Sequence, residues 1–250
     1  MARLALRSTM SSNTQPLTQS ALTQSSISNI DFVEYQGLAR ILHHCLIRYP
    51  EADFIDGLKE CDVAGSWPEF SQRQQNSTGR KLLGDFLQQW SSDIDAADSE
   101  KALITLKLDY GQLFFGPGEP TAVPQGSVYL CEEQLINDRT TVELMDYYRA
   151  HGVELQLDYK QPIDHIGLFF AVLDQTFGRL QSEIDNQALI RFIQVLLQQH
   201  LLPWALRCCE LANEHAKTDF YRGIALLTTD FLLQLQQDFQ VLALDKRLFR

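Results

Sequence analysis

Three things are scarce or missing in this chain of 250 residues, and each absence excludes a class of protein. No apolar run approaches the roughly 20 residues that a helix needs to cross a bilayer, so no transmembrane segment is expected. Basic residues are few, since 21 Lys and Arg stand against 32 Asp and Glu, giving a net charge of -11. Phosphate binding needs a basic surface, so nucleic acid is not the expected partner. The acidity favours a cationic partner, although it also serves solubility alone.

Paired cysteines and metal-ligand patterns are missing as well. No C-x-x-C pair, zinc spacing or even disulfide set exists among Cys45, Cys61, Cys131, Cys208 and Cys209. This usage fits a protein of the reducing cytoplasm. No H-E-x-x-H pair occurs, and the contiguous His43 and His44 point in different directions on a helix, so no metal site is predicted.

Catalytic motifs are absent too. No G-x-S-x-G elbow occurs, and the Gly-Pro-Gly run at 116–118 is not followed by the Gly-Lys-Ser/Thr of a phosphate-binding loop. A combination of Ser127 or Cys131 with His165 and Asp164 lacks the strand that such a nucleophile needs. The sequence therefore predicts a protein that is not an enzyme and has no cofactor of its own.

What the chain does contain, from Asp31 onward, is apolar residues at helical spacing. The pattern predicts an all-α, single-domain helical bundle with a long Gly/Pro loop between its central helices. The expected helices lie within 32–49, 51–60, 78–91, 102–115, 140–150, 162–181, 185–200, 203–217 and 218–238. The clearest buried stripe, in the last helix, consists of Phe220, Ile224, Leu227, Phe231 and Leu235.

Two segments fall outside this helical pattern. Residues 1–30 hold seven Ser, four Thr, three Gln and no acid, which predicts a disordered N-terminal tail before an all-helical domain at 31–250. A genuine tail and a misassigned start, with Met10 as the rival initiator, both remain open. Residues 153–159 alternate apolar and polar side chains, but an isolated strand has no partner, so an extended linker is expected.

Two further segments suggest a site. Residues 116–126 contain three Gly and three Pro, and ordered loops of this length usually serve a function. Pro162 suits the first position of a helix, which sets Asp164 and His165 in its first turn. A plain capping role for Asp164 and a binding role are both compatible with this pattern.

Three motifs follow one another along the chain. They are the loop region at 109–118 and 124–130, Pro162-x-Asp164-His165, and 200–204 with Phe220, Tyr221 and Ala225. With these motifs in this order, the sequence resembles the TorD/DmsD family of twin-arginine redox-enzyme maturation chaperones, and it looks closer to the DmsD-like branch. The resemblance extends over roughly residues 32–236.

The resemblance implies a cytoplasmic chaperone of anaerobic respiration. Such a protein binds the twin-arginine signal peptide of a molybdopterin-containing oxidoreductase precursor, here of the dimethyl sulfoxide reductase type, and holds it until cofactor insertion, before export. Asp164 would take an arginine, because carboxylates bind guanidinium groups in a fixed geometry. The signal-peptide-binding residues implied by the match are Tyr110, Leu113, Phe114, Pro124, Pro162, Asp164 and His165.

Some alternatives stay open. A non-catalytic helical adaptor or interaction protein of unrelated role fits the same pattern, and so do both a monomer and a helix-exchanged dimer. The chain also departs from its relatives at two positions. Gln161 stands where many of them carry Glu, and Gln125 stands where they often carry an aromatic residue.

Overall fold

Helices account for most of the chain. A computed structural model describes residues 3–6, 27, 30–90, 96–157 and 161–250. Its α-helices are α1 (Phe32–Ile47), α2 (Ala52–Glu60), α3 (Val63–Ser66), α4 (Gln74–Gln89), α5 (Ala96–Tyr110), α6 (Gly126–Leu130), α7 (Arg139–Ala150), α8 (Ile166–Leu180), α9 (Gln187–Val195), α10 (Leu202–His215) and α11 (Asp219–Asp238). The prediction of an all-α bundle is confirmed.

The contacts within the chain group into two compact units. Unit 1 comprises Met1–Ile47, Gln125–Ala205 and Leu235–Arg250, and unit 2 comprises Arg48–Pro124 and Leu206–Gln234. The long helices α10 and α11 therefore contribute to both. In the part of the chain that the structure describes, no helix combines the length and the apolar character of a membrane-spanning segment.

Unit 1 is built on the packing of α1 against α8. The rings of Phe32 and Tyr35 lie 5.9 and 5.7 Å from the ring of Phe177, so aromatic contacts fill the space between these helices. A bidentate pair of Arg40 with Asp174, whose shorter contact is 2.9 Å, links the same helices nearer the surface. The helical spacing of the apolar residues is what places these side chains on facing stripes.

A small sheet corrects the expectation of an unpaired linker. Strand β1 (Arg3–Leu6) runs antiparallel to β2 (Val153–Gln156), with Arg3 opposite Gln156 and Leu6 opposite Val153. The linker prediction is therefore wrong for β2, because its partner β1 lies near the beginning of the sequence, about 150 residues earlier. The expectation of disorder is likewise wrong at 3–6, which form β1. Apart from 27 and 30, the other residues of the predicted tail lie outside the part of the chain that the structure describes.

Unit 2 carries two buried carboxylates that tie its helices together. Asp230 on α11 forms a 2.8 Å ion pair with Arg73 and accepts a 2.7 Å hydrogen bond from Asn76. Asp109 on α5 accepts hydrogen bonds from the backbone and hydroxyl of Thr218 at 2.8 and 2.6 Å, just before α11 begins. Thr218 is the N-cap of α11, since its hydroxyl oxygen accepts a 3.3 Å hydrogen bond from the N–H of Tyr221, and Asp109 holds this capping residue from a different helix.

Two π-helical segments interrupt the predicted helices. Gly111–Phe115, called π1, continues α5, and Leu196–Leu201, called π2, joins α9 to α10. In a π-helix each backbone N–H reaches the carbonyl five residues earlier, as in the 2.6 Å bond from Gly116 to Gly111. Each segment inserts one residue per turn and so rotates the following side chains around the helix axis.

Candidate peptide-binding site

The Asp164 carboxylate joins two segments of unit 1. Its Oδ2 accepts a hydrogen bond from the backbone N–H of Ser127 at 2.7 Å, and its backbone oxygen accepts one from Gly126 at 3.1 Å. Gln125 and His165 form an antiparallel β-bridge at the same junction. Asp164 therefore caps the first turn of α6, which lies 37 residues earlier in the chain, rather than its own helix.

The other carboxylate oxygen of Asp164 has no such donor. The residue is 3% exposed, and its Oδ1 accepts no hydrogen bond from any described residue. Ser127 Oγ, also buried, is in the same situation. Both residues line a cavity of about 10 Å³, roughly the room for one water molecule. Because a buried polar atom without a partner costs free energy, a group that donates hydrogen bonds here, a water molecule or an N–H of a ligand, would be stabilised.

Trp204 forms part of the wall of this cavity. Its Nε1 donates to the backbone oxygen of His200 at 2.7 Å, and its ring stacks on Tyr129 with a centroid distance of 5.5 Å. A Cβ atom added at Gly126 would lie 2.6 Å from Trp204 Nε1, a distance that no real side chain tolerates. The first turn of α6 can therefore approach the indole, and so reach Asp164, only with glycine at this position.

His165 has a role that the sequence did not indicate. It is the N-cap of α8, and its Nδ1 accepts a 3.1 Å hydrogen bond from the backbone N–H of Gly167. The prediction that Pro162 opens this helix is wrong, because α8 begins at Ile166 and Pro162 lies in the preceding turn. Burial of the imidazole, with a smaller contribution from His43, lowers the pKa of His165 to about 3.

This low pKa predicts a pH dependence of stability. In the unfolded chain histidine takes up a proton near pH 6.5, whereas folded His165 stays neutral, so its contribution is complete above pH 6.5 and is lost as pH falls toward 3. Between pH 7 and pH 5 we expect the parent to lose about 2 kcal/mol more unfolding free energy than His165→Asn, whose side-chain oxygen still caps Gly167. Urea titrations across this pH range measure the difference.

The control for this experiment is His215→Asn, which changes a half-buried histidine at the end of α10. We expect it to follow the parental pH course. Parallel curves for the parent and His165→Asn would contradict the assignment of the pH dependence to His165.

The other predicted residues lie in unit 2, where they are buried. The ring of Tyr110 lies 5.5 Å from that of Phe114, and both rings lie 6.0 Å from the ring of Tyr221. The carbonyl of Leu113 in π1 accepts a 2.9 Å hydrogen bond from the loop that leads to buried Pro124. The structure thus brings Tyr110, Leu113 and Phe114 into one cluster of unit 2, and Pro162, Asp164 and His165 into one segment of unit 1.

Comparison with known proteins places the chain among chaperones. The family model described as nitrate reductase delta subunit matches residues 74–210. The probable Tat proofreading chaperone DmsD of Haemophilus influenzae is 31% identical over 173 residues, which is 66% of this chain and 81% of that protein. The Tat proofreading chaperone DmsD of Salmonella typhi is 26% identical over 175 residues, 68% of this chain and 82% of its own. The chaperone protein TorD of Aliivibrio salmonicida is 24% identical over 136 residues, which is 53% of this chain and 63% of that protein.

This chain belongs to the TorD/DmsD family. The two DmsD proteins match over a larger share of their length than this TorD does, in agreement with the predicted DmsD-like branch. The departure from the family at Gln125 involves a residue whose bridge to His165 is made by backbone atoms. A backbone bridge does not depend on the side chain, so the junction at Asp164 tolerates this departure.

The structure also shows an apolar surface that the family motifs did not indicate. Phe115 is 70% exposed and Tyr49 is 41% exposed, and their rings contact each other with centroids 5.6 Å apart. Tyr49 in turn lies 4.7 Å from Tyr110, so the buried cluster of unit 2 continues to the surface. The available signal was Phe115 itself, the last residue before the loop, which lies seven residues after Leu108, an exposed residue of α5.

Metal ligands and the cleft of unit 2 are further candidates for a site, and neither supports one. Among the described residues, no group of three or more His, Cys, Asp and Glu side chains is arranged to hold a metal ion. Unit 2 has an open cleft of about 510 Å³. Four of the charged residues that line the cleft form ion pairs with one another, Arg80 with Glu69 and Lys81 with Asp85.

Proposed function

We propose that this chain is a cytoplasmic, non-catalytic chaperone for a redox-enzyme precursor. It binds the twin-arginine signal peptide of a molybdopterin-containing oxidoreductase of the dimethyl sulfoxide reductase type, and it holds the peptide until the cofactor has been inserted, before export. Membership of the TorD/DmsD family, with relatives named Tat proofreading chaperones, supports this role.

The observation that carries the proposal is the free oxygen of Asp164. A guanidinium group has five N–H donors in a planar fork, and the Oδ1 of Asp164 with the Oγ of Ser127 offers buried acceptors that lack donors among the described residues. We propose that Asp164 accepts hydrogen bonds from an arginine of the peptide. His165 and Pro162 would hold the backbone segment that carries Asp164. Unit 2 offers a separate apolar surface. Phe115 and Tyr49 extend the cluster of Tyr110, Leu113 and Phe114 to the surface, and the loop that ends at Pro124 lies next to this cluster. We propose that this surface binds apolar side chains.

The net charge of the chain supports the same role. At -11 it attracts a cationic peptide and raises the association rate, an effect that salt screens beyond about 8 Å. A chaperone must also release its client, so the affinity should be moderate. We therefore expect a dissociation constant on the order of 1 μM that rises with ionic strength.

A titration with synthetic peptides tests the function. The purified full chain is titrated with a twin-arginine signal peptide of the proposed client class and with the same peptide carrying Lys in place of both Arg. Lysine cannot form the bidentate pair, so we expect at least about tenfold weaker binding of the twin-lysine peptide. Equal affinity for both peptides would remove arginine recognition from the proposal. Absence of binding by a chain that is folded according to its circular dichroism would favour a helical adaptor of another role.

A further inference from the structure

The junction of π2 and α10 leaves two backbone carbonyls without helical donors. Pro203 lies in the first turn of α10 and has no N–H. The N–H of Leu202 still bonds to Leu197 O, five residues earlier, whereas α10 continues with bonds to the carbonyl four residues earlier. This change of pattern skips one carbonyl, and the missing N–H of Pro203 removes the donor of another. The carbonyls of Gln198 and Gln199 therefore need partners from elsewhere.

The last ten residues supply these partners. Residues 241–250, which we call the C-terminal strap, contain no helix or strand. The N–H of Leu244 donates to Gln198 O at 3.0 Å, and Lys246 Nζ donates to Gln199 O at 3.3 Å. Further along, the N–H of Phe249 donates to Tyr129 O at 2.9 Å, in the last turn of α6, where helix carbonyls also lack donors.

The strap also reaches the candidate site in unit 1. Lys246 lines the same small cavity as Asp164 and Ser127, whose Oδ1 and Oγ atoms have no donor among the described residues. Lys246 and Arg247 form a pair of basic residues, and Leu248 and Phe249 follow directly. A basic pair followed by apolar residues is the chemistry of the peptide in the proposed function.

The strap is held mainly by hydrogen bonds rather than by burial of its side chains. Val241 at its start is buried, but Leu244 and Arg247 are exposed, and Lys246 and Phe249 are half-buried. Gln134 adds a 2.8 Å hydrogen bond to the carbonyl of Phe249. The attachment consists mainly of hydrogen bonds to carbonyls, which any extended peptide can make. A segment held in this way can be exchanged for another of the same chemistry.

We propose that the carbonyls of Tyr129, Gln198 and Gln199, together with the cavity at Asp164, form a binding site for an extended peptide with a basic pair followed by apolar residues. The strap is the internal occupant of this site. A signal peptide binds there only after displacing the strap, so the chain carries its own competitor. This inference rests on the proposed function for the identity of the external ligand.

The consequence is a reduced apparent affinity. When only a fraction of the molecules has the site open, the apparent dissociation constant equals the intrinsic one divided by that fraction. A tethered competitor is present at a fixed, high effective concentration whatever the protein concentration. Loosening the strap should therefore tighten peptide binding, whereas a loss of ordinary binding contacts would weaken it.

The test uses two full-length variants. Leu244→Pro with Lys246→Gln removes one N–H donor and the ammonium group, which releases the strap. Leu242→Pro is the matched control, since it places proline in the same segment at an exposed residue whose N–H makes no described hydrogen bond. The probe is the twin-arginine signal peptide, measured by fluorescence anisotropy, with circular dichroism to verify the fold of each variant.

We expect the released variant to bind about three- to tenfold more tightly than the parent and the control. Amide hydrogen exchange at Leu244 and Phe249 of the parent should also become faster when the peptide is added. If parent and released variant bind equally and exchange is unchanged, the strap does not compete and only this inference falls. If no form binds the peptide, the proposed function falls and the inference with it.

Discussion

Replacing Asp164 by asparagine should weaken binding of a twin-arginine signal peptide about 10- to 100-fold, because a hydrogen bond to a charged group contributes about 1.5–3 kcal/mol. The fold should survive, since the amide oxygen of asparagine can still accept the N–H of Ser127 that caps α6. Isothermal titration at low salt measures the affinity, and a thermal melt measures the fold.

Two further variants separate charge from structure. Asp185→Asn makes the same chemical change at an exposed position of unit 1, so it controls for the overall charge and should bind like the parent. Asp164→Ala removes the cap as well, and we expect about 1–2 kcal/mol lower stability in addition to lost binding. If Asp164→Asn binds as tightly as the parent at low salt, the carboxylate does not engage an arginine and serves only as a cap.

The regular part of the fold could be predicted because helices follow local rules. The stripe from Phe220 to Leu235 recurs at helical spacing, and its members are buried in α11 as expected. Pro50 and the Gly/Pro run at 116–118 set helix ends where the structure has them, at Ile47 and after Phe115. Spacing, breakers and caps act over a few residues, so a single sequence contains this information.

The details of the candidate site could not be predicted because they depend on distant partners. Asp164 lay in a segment that reads as the start of its own helix, yet its carboxylate caps α6 through Ser127. β1 pairs with a strand about 150 residues away, which no local pattern indicates. Phe115 is exposed whereas Phe114, which has the same chemical character, is buried.

The two π-helical segments share one structural consequence. Each leaves carbonyls that bond outside the helix, since Leu113 in π1 accepts from the 116–126 loop and Gln198 in π2 accepts from the strap. A loop and a chain terminus are thereby held against helix ends that would otherwise expose unpaired backbone groups. In unit 1 this arrangement brings the strap to Asp164, so the local irregularity of π2 is part of the candidate site.

The largest effect on stability is expected from Asp230→Ala in unit 2. Asp230 is fully buried, and the substitution leaves Arg73 and the amide of Asn76 without their shared carboxylate. Removing one partner of a buried ion pair typically costs about 3–5 kcal/mol. Arg73 keeps a 3.0 Å hydrogen bond to Gln234 and its side chain is 20% exposed, so we expect a loss at the lower end of this range. Chemical denaturation followed by circular dichroism measures the change in unfolding free energy.

The control lies on the same helix. Asp219 pairs with Arg222 at 3.5 Å, and both side chains are about half exposed, so Asp219→Ala should change stability by about 1 kcal/mol or less. Asp230→Asn should fall between the two variants, because its amide still accepts a hydrogen bond from Arg73 but carries no charge. A loss below about 1 kcal/mol for Asp230→Ala would mean that water and the existing hydrogen bond to Gln234 are enough to compensate the charge of Arg73. The ion pair would then be dispensable for holding α11 to the segment that precedes α4.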